Sequence, residues 1–152
     1  MTSQLEAQNT EARAEAEAEA ARLSMALGRV SRWIRRQHSL PLGHGGISAL
    51  ATISREGPIR AGDLAVREGL AAASLSRIIA VLVVECYVDR QPDPEDGRSI
   101  LLSTTPQGED LLADVRATTA RVLLDRLERL SPAERSAIIA ALPALESLAS
   151  DQ

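Results

Sequence analysis

Lysine is absent from this 152-residue chain, and all 17 basic residues are arginine. Phenylalanine is absent too, and the only aromatics are Trp33 and Tyr87. A core without aromatic bulk has to be filled by Leu, Ile, Val and Ala, which at helical spacing suit closely packed helices. The excess of arginine and alanine reads first as the mark of a GC-rich genome. Cysteine occurs once, at Cys86, which excludes an intramolecular disulfide framework and fits a reducing compartment. Long hydrophobic runs are missing as well. The longest, residues 78–84, has seven apolar residues and cannot span a bilayer. The first twenty residues are acidic and alanine-rich without an apolar signal core, so no membrane partner and a cytoplasmic location are expected. The net charge of −4 excludes a non-specific nucleic-acid coater, which needs a basic surface. It leaves room for a protein that touches DNA through a few placed arginines.

What is present is mostly helical pattern. After a polar stretch expected to fray over residues 1–10, EARAEAEAEAARL favours helix by propensity. Leu23, Ala26, Leu27, Val30, Trp33 and Ile34 then mark one face of a helix ending near residue 38. Arg29, Arg32 and Arg36 form a neighbouring stripe, read first as a solvated face and second as a phosphate contact. Pro41, Gly43, Gly45 and Gly46 are expected to mark a loop. A helix over residues 47–55 turns Leu50 and Ile53 inward and stops at Gly57-Pro58. A short helix over 60–68 buries Leu64 and Ala65, and Gly69 supplies a turn. A third, over 72–85, carries Leu75, Ile78, Ile79 and Leu82 in register. Helix, glycine turn, helix is the helix-turn-helix pattern, with the later helix in the reading position.

Strand signals are confined to residues 88–104, where YVDRQ and RSILLSTT flank the acidic turn PDPEDG. A hairpin behind a helix-turn-helix is a winged-helix layout. Thr105 and Pro106 then open a long helix with an apolar stripe from Leu111 to Leu130, Thr105 as N-cap. Ser131 and Glu134 have capping-box spacing at the start of the last helix, which Pro143 is expected to kink or split. The expected fold is therefore mainly α with a small β-hairpin wing: a winged helix-turn-helix flanked by N- and C-terminal dimerisation helices. Its parts are an acidic extension (1–20), a dimerisation helix (21–40), the winged module (44–105) and C-terminal dimerisation helices (106–150). The terminal helices are amphipathic and form a platform whose apolar face a second copy would bury, so a homodimer is expected.

Double-helical DNA can be read by a helix in the major groove, where base edges are distinguishable. A wing arginine can reach the minor groove, where A·T-rich sequence concentrates negative potential. The candidate reading turn is Ala71, Ala72, Ala73, Ser74, Ser76 and Arg77. The wing candidates are Arg98, Ser99 and Asp96, with Asp96 read as the partner that holds the Arg98 guanidinium extended.

The stretches GPIRAGDLA (57–65), SLSRIIAVL (74–82), YVDRQPDPEDGRSILLSTTPQG (87–108) and LSPAER (130–135) make the chain resemble the MarR family of bacterial winged-helix repressors. That resemblance covers about residues 20–150. It implies a homodimer on a pseudo-palindromic double-stranded DNA operator, with release by a small aromatic or phenolic effector or, in one branch, by thiol oxidation. It assigns Arg77 to the recognition-helix arginine, Ser74 and Ser76 to hydroxyl positions, Arg98 to the minor-groove arginine and Asp96 to the wing aspartate. Three positions depart from the pattern. Ala71-Ala72-Ala73 replaces a frequent Ser-Pro-Ser, leaving methyls that can pack on thymine methyls. Arg60 replaces a Ser or Thr cap and adds a candidate phosphate ligand. Cys86 stands where glycine is common just past a helix, at a strain of roughly 1 kcal/mol if the left-handed geometry is kept. It is read as a partly buried, inert thiol, because the family's peroxide-sensing cysteine lies in the first helix, where this chain has none.

An enzyme finds no support, since His38 and His44 sit in no Ser/His/Asp or Cys/His pattern, and neither a metal site nor a cofactor is expected. Trp33, Gln37, His38 and His44 are effector candidates, in the cleft between platform and winged module where that family's ligands dock. The rival reading is a winged-helix interaction module that does not bind specific DNA. Residues 44–105 carry six arginines against eight acids, a net of −2, so DNA binding needs the arginines gathered on one face.

Overall fold

Alanine, glutamate and arginine in long runs make helix the cheapest state for much of this chain, and helix dominates the structure. The computed structural model describes residues 2–37, 42–97 and 99–149, with side chains from residue 9 onward. It divides into two units, Met1–His38 and Ser39–Gln152, each taken by itself. The first is one helix, α1 (Thr2–Gln37). The residues expected to fray are helical back to Thr2, because each residue added to an existing helix gains a backbone bond. Arg13 and Glu17 pair one turn apart at 3.3 Å, and Arg35 and Arg36 stand in the last turn, where positive charge opposes the helix dipole.

The second unit runs α2 (Gly43–Glu56), β1 (Ile59–Arg60), α3 (Ala61–Glu68), α4 (Ala72–Val84), β2 (Val88–Pro92), β3 (Ile100–Thr104), α5 (Pro106–Leu127) and α6 (Pro132–Ala149). The described strands form one antiparallel sheet in the order β1-β3-β2. In the hairpin Val88 faces Thr104 and Pro92 faces Ile100. The strand signal is wider than expected, since Ile59 and Arg60 also pair with Leu102 and Leu101. A two-residue strand has no alternation to read, so periodicity could not announce β1.

Apolar residues at helical spacing converge on one core. Leu50 and Ile53 of α2 meet Leu64 of α3, Leu75, Ile79 and Leu82 of α4, Val88 and Leu102 of the sheet, and Leu112 of α5. Ala65 is only half-buried. Helix α2 begins at Gly43, so Gly45 and Gly46 are helical and not in a loop as expected, and it stops at Gly57, whose N–H donates to the Ile53 carbonyl at 2.7 Å. A Cβ on Gly57 would lie 2.5 Å from that oxygen, so no larger residue fits there. The Thr52 hydroxyl donates to Glu68 at 2.6 Å and ties α2 to the end of α3.

Beyond the sheet, the Thr105 hydroxyl accepts from Gly108 N–H at 3.1 Å and caps α5 as expected. Gly108 packs on the Tyr87 carbonyl so closely that a Cβ has no room, a physical reason for the glycine in this helix start. Helix α6 opens on the expected capping box: the Ser131 N–H donates to Glu134 at 2.9 Å and the Glu134 N–H to the Ser131 hydroxyl at 3.3 Å. Pro143 does not split α6, which continues through it to Ala149. One missing N–H removes one bond, and the bonds on either side carry the helix across. Cys86 has φ 59°, the left-handed geometry expected, but it is exposed and not partly buried. It lies beyond the last turn of α4, past the helix face that packs on the core.

Candidate nucleic-acid interface

Helix α4 divides cleanly into an anchored and an open face. Leu75, Ile79 and Leu82 are 2%, 5% and 0% exposed. Ala71, Ala72, Ala73, Ser74, Ser76 and Arg77 are all exposed. The fold thus anchors the expected reading turn from behind through buried side chains and leaves it open in front. Ala71 is the N-cap, and no side chain caps the helix among the described residues. The Ser74 and Leu75 N–H groups donate to the Ala71 carbonyl at 2.9 and 3.1 Å. Gly69, at φ 61°, makes the turn between α3 and α4.

The arginines of this unit are not alike. Arg55 and Arg67 both pair with Glu56, at 3.0 and 3.2 Å. Arg60 pairs with Asp93 at 2.5 Å through Nε and approaches Glu95 at 3.4 Å through Nη2. The guanidinium that the sequence offered to phosphate is therefore engaged by two carboxylates of the loop that closes the β2–β3 hairpin. Among the described residues, no salt bridge reaches Arg77 or Arg90, and both are exposed. Arg55, Arg60 and Arg67 are thus taken up by Glu56, Asp93 and Glu95, while Arg77 stays open beside the reading turn.

The wing loop is organised by its aspartates. Asp93 Oδ1 accepts from Glu95 N–H at 2.8 Å, and the Asp93 N–H donates to the Ser99 carbonyl at 3.0 Å. The Ser99 N–H donates to the Asp96 carbonyl, and its hydroxyl donates to the Asp96 carboxylate, both at 2.8 Å. Arg98, the candidate minor-groove residue, lies outside the described residues, and so does its pairing with Asp96. The Arg60 hydrogen bond holds the Asp93 carboxyl below the usual carboxylate range, with the Glu95 N–H helping and burial opposing. The same contact raises the Arg60 guanidinium above its ordinary value.

Of the effector candidates, Trp33 is half-buried and Gln37 exposed near the end of α1, and His44 is exposed in the first turn of α2. His38 lies outside the described residues. Among the described residues there is no cluster of three or more His, Cys, Asp or Glu that could hold a metal ion, and no helix is long and apolar enough to cross a membrane. Sequence reasoning overlooked Asp93. Its signal was the Asp-Pro dipeptide at the hairpin turn, a stretch where side-chain–backbone hydrogen bonds are common.

Residues 44–100 match the family model described as MarR family. An HTH-type transcriptional regulator of Mycobacterium tuberculosis is 40% identical over 114 residues, covering 74% of this chain and 80% of that protein. The crystal structure of a putative transcriptional regulator from Pseudomonas aeruginosa PA01 aligns with a TM-score of 0.74 at 26% identity, over 88% of this chain and 94% of that one. A Staphylococcus aureus MepR mutant bound to an oligodeoxyribonucleotide aligns with a TM-score of 0.63, over 86% and 97% of the two chains. At 15% identity that last likeness concerns the fold.

Proposed function

The chain belongs to the MarR family, and from that premise we propose that two copies of it grip a pseudo-palindromic DNA operator and repress the adjoining gene until a small ligand releases them. At the coarser level it is a DNA-binding transcriptional regulator and not an enzyme. The observation that carries the finer reading is the α4 reading turn, anchored by Leu75 and Ile79 and open from Ala71 to Arg77. In this reading Ala72 and Ala73 lie against base edges in the major groove, where their methyls favour thymine. Ser74 and Ser76 donate to phosphate or base edges, and Arg77 contacts phosphate. Asp96 and Ser99 shape the wing that carries Arg98 into the minor groove. The fold shared with a MepR mutant bound to an oligodeoxyribonucleotide supports this reading.

Dimerisation is supported by α6, where Ile138, Ile139, Leu142 and Leu148 are 41–67% exposed. Contiguous apolar surface on a helix signals a missing partner. Release by a small aromatic or phenolic effector rests on the family, with Trp33, Gln37, His38 and His44 as the residues to test. The rival interaction module is disfavoured by Arg77, a guanidinium left without a salt bridge among the described residues where a DNA backbone would meet it.

The test begins with DNA fragments that the protein selects from its own genome, titrated with salt. Affinity is expected to fall steeply as phosphate counterions are released. Arg77→Ala is expected to cost about 1–3 kcal/mol and to make the salt dependence shallower by roughly one unit of slope. Arg98→Ala is expected to cost about 1–3 kcal/mol and leave the dimer intact. No selected fragment at any salt would return the protein to the interaction-module reading.

A further inference from the structure

Arg60 stands where two parts of the winged unit join. Its backbone ends β1 and provides the N-cap position of α3, in extended geometry at φ −69° and ψ 143°. Its side chain crosses to the loop closing the β2–β3 hairpin, onto Asp93 and Glu95. Asp93 is only 4% exposed, an uncommon state for a carboxylate in a hairpin loop. A buried charge is tolerated when it is paired and its oxygens are hydrogen-bonded. Both conditions hold here: Oδ2 accepts from Arg60 and Oδ1 from the Glu95 N–H. From Asp93 the chain of hydrogen bonds continues to Ser99 and from Ser99 to Asp96. The sheet offers little other hold on this loop. β1 meets β3 over two residue pairs, and the hairpin ladder ends at Pro92 and Ile100.

Resting on the DNA-binding reading above, we propose that Arg60 is a positioning residue that sets the wing loop against the helix-turn-helix through Asp93, and is not a phosphate ligand. The chemistry runs against a second role. A guanidinium shared by two carboxylates has its charge cancelled locally, so it attracts phosphate weakly. Swinging it onto DNA would also leave Asp93 buried without its partner, the expensive half of breaking a buried pair. Arg60 therefore acts on DNA at second hand, by fixing the direction from which the wing approaches.

Hydrogen exchange on the full, DNA-free chain tests the clamp directly. In Arg60→Met the amides of Asp93, Glu95 and Ser99 are expected to exchange about tenfold faster or more, while those of α3 and α4 keep their rates. Unchanged exchange in the wing loop overturns the proposal. So does faster exchange throughout α3 and α4, which would make Arg60 a support of the whole domain. Operator binding supplies the second arm. Arg60→Met and Asp93→Asn are each expected to weaken binding about tenfold, the double variant no further, all with the wild-type salt slope. A shallower slope for Arg60→Met, with Asp93→Asn binding as well as wild type or better, would identify a phosphate contact and end the proposal. Should the wild-type chain select no DNA, the regulator reading fails, and the exchange experiment still decides the clamp.

Discussion

Cys86 follows α4 with φ 59°, its N–H donating to the Val83 carbonyl at 3.0 Å and the next N–H, of Tyr87, to Leu82 at 2.9 Å. Those two bonds make a Schellman turn, and the chain makes the same turn after α3. There the residue is Gly69, at φ 61°, with Gly69 and Leu70 donating to Val66 and Ala65 at 3.2 and 3.0 Å. The two turns share a geometry and differ by a side chain, which isolates what that side chain costs. A Cβ in the left-handed region crowds the following carbonyl, at roughly 1–2 kcal/mol. Glycine relieves this but adds about 0.5–1 kcal/mol of backbone entropy in the unfolded chain. Cys86→Gly is therefore expected to raise stability by roughly 0.5 kcal/mol. Cys86→Val, β-branched, should lower it. Urea midpoints under reducing conditions check both. A Gly variant less stable than wild type would mean that the turn carries no strain to relieve. The sequence already marked this position, because glycine is common just past a helix. It could not show that the thiol faces solvent, since that depends on where α4 ends relative to the core.

Helix beginnings are where local chemistry spoke most clearly. Thr105-Pro106 and Ser131-Pro132 name their caps because the capping bond joins residues three apart, a distance any sequence window covers. The helix-turn-helix was legible for the same reason, through apolar spacing and Gly69. What escaped was long-range: β1, paired with residues about forty positions on, and the Arg60–Asp93 contact across 33 positions. Tertiary packing decides such partners, and no window sees them. These contacts also set how the protein meets acid. The Glu134 carboxyl is held below the usual range first by the Ser131 hydroxyl and then by its N–H, against burial. Asp93 is held down by Arg60 and the Glu95 N–H. Groups with lowered folded values contribute stability that is complete above the unfolded value, near 4, and is lost as pH falls through the folded one. Glu134→Gln keeps the shape of the capping box without the charge. It is expected to be less stable than wild type at about pH 6 and to match it near pH 2. Denaturant midpoints across that range check it. A gap unchanged down to the lowest pH would show that ionisation of Glu134 is irrelevant to α6.

At the scale of the molecule the question is what covers the apolar residues that folding leaves open. Leu23, Leu27 and Val30 on α1 are 44–49% exposed. On α6 the exposed set is Ile138, Ile139, Leu142 and Leu148, and no described residue of that helix is buried. An 18-residue helix with none of its side chains buried gains little from the fold that carries it. Each half-exposed Leu or Ile removed from water is worth roughly 1 kcal/mol, and a two-fold interface counts every such residue twice. In the proposed reading, helix α6 is one side of the interface between two copies. The proposed regulator needs the same thing on other grounds. A single copy presents one reading turn with few open arginines, whereas a pseudo-palindromic site rewards two turns held at a fixed separation. Ile139→Glu places a charge in that face and spares the winged core of Leu50, Leu64 and Leu82. Such a change at the centre of an interface is expected to cost about 2 kcal/mol or more in association. Sedimentation should then report single chains with wild-type helical content, and operator affinity should fall at least as far as dimerisation does. If the Glu variant sediments and binds DNA like wild type, α6 is not the dimer face, and the two reading turns must be brought together by other helices.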